Sequence, residues 1–347
     1  MSDLNASLDD RVELVSAPTP LERADRLASA IGLAPGHLWV KREDAIGLAG
    51  GGNKVRKLEY LCAEALAGAC DVVVTGGGPQ SNHVRLTAAA CARLGLECVA
   101  VVAGDGPGEP TGNVVLDHLL GAKLVWAGNL DYYELERAIQ AEVDRLAGSG
   151  RRPYLAPVGG ASVTGTLGYV RAGLELTAEA PDVDLVVTPD GSGGTHAGLV
   201  AALGDHRRVL GVDAGTRPDL DERVPEMAAQ AAAAAGRSAP AGEVQIDHDR
   251  VGAGYGAPTD SCLEALHVAA RTEGLVLDPV YGGKALAGLI AAVRDGRIAT
   301  AARVVFVHTG GTPALFSGPY GRWIARLDRS QRMEGVPDRS QGTVTVS

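Results

Sequence analysis

Lys54 is the residue whose position most strongly suggests covalent chemistry. It follows a glycine run at residues 50–52 and Asn53, and it opens a segment with helical periodicity. The amino end of a helix disfavours a cation unless an anion or a covalent partner lies there, and a buried lysine with a depressed pKa forms imines. A solvated surface lysine is the alternative. Lys57, one turn further along the same face, is placed to meet a phosphate.

The segment DGSGGTH at residues 190–196 is typical of a phosphate-binding loop. It follows a predicted strand and enters a predicted helix, so free backbone N–H groups and the positive end of the helix dipole would face an anion. Ser192 and Thr195 add hydroxyl groups, and Gly193 and Gly194 let the backbone approach a ligand closely. A tight strand-to-helix turn without a ligand is the alternative.

The segment QSNHVR at residues 80–85 begins another predicted helix with polar side chains. Two amides, a hydroxyl and an imidazole stand at its amino end, those of Gln80, Asn82, Ser81 and His83, and such a set suits a carboxylate. Simple capping of the helix by Ser81 or Asn82 explains the same pattern.

Two tyrosines stand beside glycines in predicted loops. Tyr255 and Tyr281 each precede a predicted helix, where a phenol can position or protonate a ligand. The alternative is that each ring simply covers its loop.

The elements that must position these residues alternate between short β-branched runs and longer alanine-rich runs of helical period. This alternation predicts parallel sheets covered by helices, and in such sheets ligands collect at the carboxyl ends of the strands. On the helix after Lys54, Arg56 and Glu59 are predicted to form a solvated pair without a role in the site. The predicted strands include 71–75, 97–102 and 185–188, and the predicted helices are 54–67, 81–94, 111–120, 132–147, 163–180, 194–203, 219–235, 258–273 and 283–295.

Composition and charge exclude several classes of protein. The 347 residues leave room for about two domains, and the net charge of −10 has the wrong sign for a protein that binds nucleic acid. No apolar run reaches the roughly 18 residues of a membrane span. The eight histidines are scattered singly, which predicts no metal site.

The cysteines and the first residues bear on the compartment. The five cysteines form no CxxC pair, and residues 1–11 lack a secretory signal, so the cytoplasm is the expected compartment.

A nicotinamide dehydrogenase is an alternative from another class. Neither glycine loop matches GxGxxG, because Ser81 and His196 occupy the third glycine position. Asp213 nevertheless lies about twenty residues after the second loop, as the acid of a dinucleotide site does. The spacing therefore leaves this alternative open.

Six blocks of sequence, taken together, resemble one known family. In order they are KREDAIGLAGGGNKVRKLEYL, TGGGPQSNHVR, DGSGGTHAGL, GAGYGAPT, LDPVYGGKALAGLI and VHTGGTPALF, within residues 38–316. They resemble the pyridoxal-phosphate family that contains D-cysteine desulfhydrase and 1-aminocyclopropane-1-carboxylate deaminase. The resemblance implies pyridoxal 5'-phosphate as cofactor, a homodimer, and the tryptophan-synthase-β-like fold (fold type II), with two three-layer α/β/α domains and mostly parallel sheets. It also implies a large domain from residues 1–57 and 164–327, a small domain from 58–163, and a polar tail at 328–347.

The resemblance assigns a role to each of the residues introduced above. Lys54 corresponds to the lysine that holds the cofactor and moves the substrate proton, and Lys54, Ser81, Tyr255 and Tyr281 are the predicted catalytic residues. The predicted cofactor contacts are Lys57, Asn82 near the phenolic oxygen, Ser192, Gly193, Gly194 and Thr195 around the phosphate, and Thr309 near the pyridine nitrogen. The predicted substrate contacts are Asn53, Gln80, Ser81, Asn82, Tyr255 and Tyr281.

The residue after Tyr281 bears on the reaction. The deaminase pattern has glutamate there and the desulfhydrase pattern a hydroxyl residue, so Gly282 departs from both, whereas Thr309 agrees with the desulfhydrase pattern. The resemblance therefore favours β-elimination from a cysteine-like amino acid, giving pyruvate, ammonia and sulfide. The cyclopropane deaminase and a lyase of another β-substituted alanine, such as cysteate, are the alternatives.

Overall fold

The computed structural model describes residues 8–106, 108–318 and 320–324, so the predicted tail at 328–347 lies outside the described residues. The strands are β1 (Leu21–Arg23), β2 (Leu38–Arg42), β3 (Val72–Gly77), β4 (Glu97–Val102), β5 (Lys123–Trp126), β6 (Pro153–Leu155), β7 (Leu185–Asp190), β8 (Val209–Asp213), β9 (Gln245–Asp247) and β10 (Val304–His308). The helices are α1 (Asp25–Ile31), α2 (Lys54–Ala67), α3 (Asn82–Leu94), α4 (Asn113–Leu119), α5 (Tyr132–Gly148), α6 (Val163–Glu179), α7 (Gly194–Leu203), α8 (Leu220–Ala234), α9 (Asp260–Glu273) and α10 (Gly282–Arg294).

The strands form two sheets that are almost entirely parallel. The larger sheet has the order β1-β2-β10-β7-β8-β9, and only β1 runs antiparallel to its neighbour. The smaller sheet has the order β5-β4-β3-β6 and is parallel throughout. The prediction of mostly parallel α/β sheets is therefore confirmed.

Helices cover both faces of each sheet. In β7, Val187 packs in the same core cluster as Leu289 of α10, whereas the adjacent Val186 packs with Leu199 of α7. Successive strand residues point to opposite faces, so α10 and α7 lie on opposite sides of the larger sheet. In β3, Val73 packs with Leu61 of α2 in one cluster, and Val72 and Val74 pack with α5 in another. This two-sided burial explains the continuous apolar runs of the central strands.

The predicted element boundaries agree closely with the structure. The bounds of α2, α7 and β4 are those predicted, and the remaining predicted helices begin and end within two residues of the observed ones. Each sheet falls within one of the two predicted domain segments. However, α2 continues across the predicted boundary at residue 58, and the domain division stays a prediction. Among the described residues, no helix is both long and apolar enough to cross a bilayer.

The prediction that Arg56 and Glu59 form a solvated pair is wrong. Arg56 is only 2% exposed and donates to both carboxylate oxygens of Glu43, at 2.6 and 2.9 Å, and to Glu175 of α6. Glu59 is also buried, where it accepts hydrogen bonds from Arg11 and from backbone N–H groups at residues 14 and 15. Helical spacing shows which side chains share a face, but it does not show which distant segments pack over that face.

Candidate active site

A cavity of about 330 Å³ lies where the glycine loops leave the carboxyl ends of β3, β7 and β10. Loops after the strands of both sheets contribute to its walls. Ten of the predicted site residues line it, namely Asn53, Lys54, Ser81, Asn82, Ser192, Gly193, Thr195, Tyr255, Tyr281 and Thr309. The structure therefore brings together residues that lie up to 256 positions apart, from Asn53 to Thr309, in the sequence.

Lys54 is the first residue of α2 and projects into this cavity. The glycine run before it makes a turn that other residues cannot adopt: Gly51 has a φ of 75°, and a Cβ there would lie 2.0 Å from the carbonyl oxygen of Asp44. Burial lowers the pKa of Lys54 to about 8, against the opposing effect of the Asp190 carboxylate. The amine is thus much more readily deprotonated than that of a surface lysine.

Lys57 lies one turn further along α2, beneath the loop that leads into α7. Its Nζ donates to the carbonyl oxygen of Gly159 at 3.3 Å and lies 2.8 Å from the position that a Cβ of Gly194 would occupy. Burial, reinforced by the nearby charge of Lys54, lowers the pKa of Lys57 well below its ordinary value. An anion bound at this loop would relieve that penalty. Lys57 and Gly194 lie just behind the residues that line the cavity.

The loop at residues 192–195, which we call the phosphate cradle, lines the cavity through Ser192, Gly193 and Thr195. The Ser192 side-chain oxygen is buried, and among the described residues it has no hydrogen-bond partner. Gly193 has a φ of 85° and caps α7, whose first backbone N–H groups have no partner within the helix. The Thr195 hydroxyl accepts a hydrogen bond from Asn53 at 3.0 Å, which ties the cradle to the residue before Lys54.

The amino end of α3 is capped and also lines the cavity. The capping and the ligand-binding interpretations of its sequence are therefore compatible. Ser81 is the N-cap, and its hydroxyl accepts from the N–H of Val84 at 3.3 Å; it also lines the cavity. Asn82 lines the cavity too, with its amide oxygen held by Asn113 at 2.9 Å. The first N–H groups of α3 are therefore presented beside two polar side chains, as a carboxylate requires.

The prediction that Gln80 contacts substrate does not fit the structure. Its side-chain amide donates to the carbonyl oxygen of Thr111, its amide oxygen accepts from the N–H of Asn113 at 2.9 Å, and Gln80 does not line the cavity. The loop before α4 satisfies this side chain, and no local pattern predicted that this loop packs against α3. Gln80 fixes the position of the α3 amino end instead.

The two tyrosines form a pair on one wall of the cavity. Their hydroxyl oxygens are 2.7 Å apart and their ring centroids 6.0 Å apart. Loss of solvation raises the pKa of both phenols, most strongly that of Tyr281, whereas Tyr255 keeps 42% of its surface exposed. Asp278 fixes the backbone around Tyr281 by accepting from the N–H groups of residues 280–282. The pair therefore remains protonated at neutral pH and can share or donate a proton.

Gly282, the residue that departs from both family patterns, lies at the start of α10 and contributes no side chain to the site. A Cβ at this position would be 3.2 Å from a carboxylate oxygen of Asp278. Thr309 lines the cavity, and its backbone carbonyl accepts from the N–H of Asn53 at 3.1 Å. A hydroxyl is thus present on the β10 side of the cavity.

Sequence reasoning missed several cavity residues. Asp190 ends β7, is buried, and lies 2.7 Å from Nδ1 of His196; its place at the end of a central strand was the available signal. His83 belongs to the polar set predicted at the amino end of α3, and it also lines the cavity. Asp131 and Tyr132 start α5, where an Asp-x-x-Glu capping box is visible in the sequence, but nothing in that motif showed that it faces the other sheet.

Comparisons with known proteins agree with this geometry. The profile of the family described as "Pyridoxal-phosphate dependent enzyme" matches residues 12–310. The chain belongs to this family. D-cysteine desulfhydrases of Salmonella typhi and Salmonella newport are each 39% identical to it over 323 residues, which cover 88% of this chain and 95% of theirs. Membership of the pyridoxal-phosphate family gives no support to the dehydrogenase alternative.

Solved structures show the same fold. A crystal structure of an ACC deaminase homologue superposes with a TM-score of 0.83 at 34% identity, covering 91% of this chain and 96% of that one. Maize serine racemase superposes with a TM-score of 0.63 at 14% identity, covering 91% and 94%. The predicted fold type II architecture is therefore confirmed.

The residues present fit pyridoxal phosphate. The unpartnered hydroxyl of Ser192, the free N–H groups of α7 and the buried Lys57 suit a phosphate, and Lys54 offers an amine of lowered pKa to an aldehyde. Among the described residues, no group of three or more His, Cys, Asp or Glu side chains is arranged to hold a metal ion.

Substituting Ser192 by alanine is expected to weaken cofactor binding about 5- to 100-fold, because the bound phosphate would lose one hydrogen bond to a buried donor. The measurement is the dissociation constant for pyridoxal phosphate, from absorbance titration of the cofactor-free protein. Ser29→Ala, at an exposed position on α1, is the matched control. Equal affinities for the Ser192→Ala variant and the parent protein would contradict the cradle assignment.

Proposed function

We propose that this protein is a D-cysteine desulfhydrase-like lyase that converts a cysteine-like amino acid and water into pyruvate, ammonia and hydrogen sulfide. One observation carries the proposal. A single cavity joins the lysine of lowered pKa, the phosphate cradle and the amino end of α3, in a chain that is 39% identical to D-cysteine desulfhydrases.

Lys54 has two tasks in this proposal. When bound, pyridoxal phosphate supplies an electron sink that stabilises negative charge at the substrate Cα. The Nζ of Lys54 would hold the cofactor, and the same amine, when free, would take the α-proton of the substrate. The carboxylate of Asp190, which raises the pKa of Lys54, favours the protonated form of this amine after the transfer.

The amino end of α3 orients the substrate. Its backbone N–H groups, with the Ser81 hydroxyl and the Asn82 amide, bind the substrate carboxylate and so direct the Cα–H bond towards Lys54. Asn53, which precedes Lys54 and is tied to Thr195, links this orientation to the phosphate cradle.

The tyrosine pair supplies the proton for the leaving group. A departing thiolate takes a proton from Tyr281 or Tyr255, and the short bond between the two hydroxyls lets the pair share the resulting charge. The raised pKa values of both phenols keep the proton in place until the sulfur departs.

Deamination of 1-aminocyclopropane-1-carboxylate is the second candidate, favoured by the structural similarity to an ACC deaminase homologue. Gly282 weighs against it, because no carboxylate side chain occupies that position.

One experiment separates the two candidates. An absorbance spectrum of the purified protein is recorded, and D-cysteine, L-cysteine and the cyclopropane amino acid are then added in turn. We expect a cofactor band and pyruvate from a cysteine isomer; 2-oxobutyrate alone would favour the deaminase.

The pKa of Lys54 predicts how cofactor uptake depends on pH. The unprotonated amine is the form that attacks an aldehyde, and its fraction falls about tenfold for each pH unit below a pKa of about 8. We therefore expect the rate of cofactor uptake by the cofactor-free protein to rise from pH 6 and to level off above pH 8. Stopped-flow absorbance measures this rate. A midpoint near 10 would contradict the lowered pKa.

We also infer a cytoplasmic homodimer. The five cysteines are unpaired, as a reducing compartment favours.

Exposed apolar side chains support the homodimer. Val115 and Leu119 of α4 expose 47% and 78% of their surface, and Phe316 exposes 74%. Large exposed apolar side chains of this kind favour an interface. Leu119→Asp is expected to shift the protein towards a monomer in analytical ultracentrifugation, whereas a parent protein that is already monomeric would contradict the proposal.

A further inference from the structure

The positive charges that face the cavity are already in use before a substrate enters. Among the described residues that line it, Lys54 and His83 are the only potential cations. Lys54 holds the cofactor. Burial, with the charges of Lys54 and Lys57, lowers the pKa of His83 well below its ordinary value, so its imidazole is neutral at neutral pH.

In the proposed reaction two anions would occupy the regions rich in N–H donors. The cofactor phosphate would bind in the phosphate cradle, with Lys57 beneath it. The carboxylate that every amino acid carries would bind at the amino end of α3, beside Ser81 and Asn82. A substrate with a second negative charge would need a third region rich in N–H donors.

The wall formed by the start of α5 carries a negative charge. This α5 wall consists of Leu130, Asp131, Tyr132 and Leu135, all of which line the cavity. The Asp131 carboxylate accepts from the N–H of Glu134 at 2.8 Å, so a helix cap fixes its position beside the cavity. Two apolar side chains and one carboxylate suit a neutral substituent and repel an anion.

Arg217 packs behind this wall but is not available to a substrate. Its guanidinium binds both carboxylate oxygens of Asp219, at 2.6 and 2.7 Å, and donates to the hydroxyl of Tyr132 at 3.1 Å. It also lies 4.7 Å from the centre of the Tyr132 ring and is only 9% exposed. This bidentate pair neutralises the charge of Arg217 and holds Tyr132 in the wall.

We propose that the cavity selects amino acids whose β-substituent is uncharged and disfavours an anionic β-substituent such as the sulfonate of cysteate, with Asp131 as a specificity-determining residue. The inference deepens the proposed β-elimination and rests on the assignment of this cavity as its site. It names the substrate class: alanines that carry an uncharged β-substituent.

The experiment compares two ligands that differ mainly in charge. The holoenzyme is titrated with cysteate and with 3-(methylsulfonyl)alanine, its neutral sulfone analogue of similar shape, in both enantiomers. Changes in cofactor absorbance give dissociation constants whether or not turnover occurs, and pyruvate formation gives kcat/KM where it does. Asp131 is exposed, so solvent screens part of its charge, and we expect the sulfone to be preferred about three- to fivefold over cysteate.

The variant Asp131→Asn keeps the helix cap and removes the charge. It is expected to reduce the preference for the sulfone by about two- to fivefold. Raising the ionic strength from about 0.05 to about 0.5 M is expected to reduce the preference in the parent protein but not in this variant, because salt screens the charge; a purely structural role would not produce that difference. Asp144→Asn, at an exposed position further along α5, is expected to behave like the parent.

Equal binding of the two ligands by the parent protein, or an unchanged preference in Asp131→Asn, would overturn the inference. Its failure is distinguishable from failure of the proposed function. A protein that forms pyruvate from cysteine but binds cysteate and the sulfone equally retains the function and loses the inference. A protein that forms no pyruvate from either cysteine isomer loses the function, while the binding preference still tests the inference.

Discussion

The Lys54→Ala variant is expected to lose both the visible absorption of the lysine-bound cofactor and pyruvate formation, the latter by a factor of at least about 10³. The substitution removes the only lysine that lines the cavity among the described residues, and with it both the covalent attachment and the base that takes the α-proton. Absorbance spectra and a coupled pyruvate assay measure the two losses separately.

Lys123→Ala is the matched control, because Lys123 is an exposed lysine that pairs with Glu97 on the smaller sheet. It is expected to match the parent in both measurements. A Lys54→Ala variant that retained the band and the activity would show that another residue holds the cofactor.

The Arg56→Ala variant is expected to lose about 3–5 kcal/mol of the free energy of unfolding, because it leaves the Glu43 carboxylate buried without its partner. Arg56 and Glu43 are 2% and 1% exposed, and two hydrogen bonds join them. The Tyr169 hydroxyl also donates to Glu43, but it brings no compensating charge. Urea unfolding followed by circular dichroism measures the change.

Arg207→Ala provides the comparison for Arg56. Arg207 also forms a close pair, with Asp205 at 2.6 Å, but 68% of its side chain is exposed. Solvent screens such a pair, so the unfolding midpoint of Arg207→Ala is expected to match that of the parent protein. Similar midpoints for the Arg56 and Arg207 variants would contradict the buried network.

Local signals in the sequence were sufficient to predict the helix starts that carry the candidate site residues. Lys54, the phosphate cradle and Ser81 all stand where a glycine or capping residue precedes a helix, and the bounds of α2 and α7 were predicted as observed. These features depend on interactions within a few residues of the chain, which the sequence shows directly.

Contacts between distant segments were not predictable in the same way. The partners of Arg56 are 13 and 119 positions away, and the loop that satisfies Gln80 is 31 to 33 positions away. In the α5 wall, Tyr132 meets Arg217, which is 85 positions later and follows a strand of the other sheet. No periodicity or motif in a single sequence specifies such pairings.

The most direct test of the central claim is to identify the lysine that carries the cofactor. The holoenzyme is reduced with borohydride, which makes the attachment permanent, and is then digested and analysed by tandem mass spectrometry. The geometry predicts the modification on Lys54 and an unmodified Lys57, although the two lie one turn apart on the same helix. Modification of Lys57, or of neither lysine, would contradict the account.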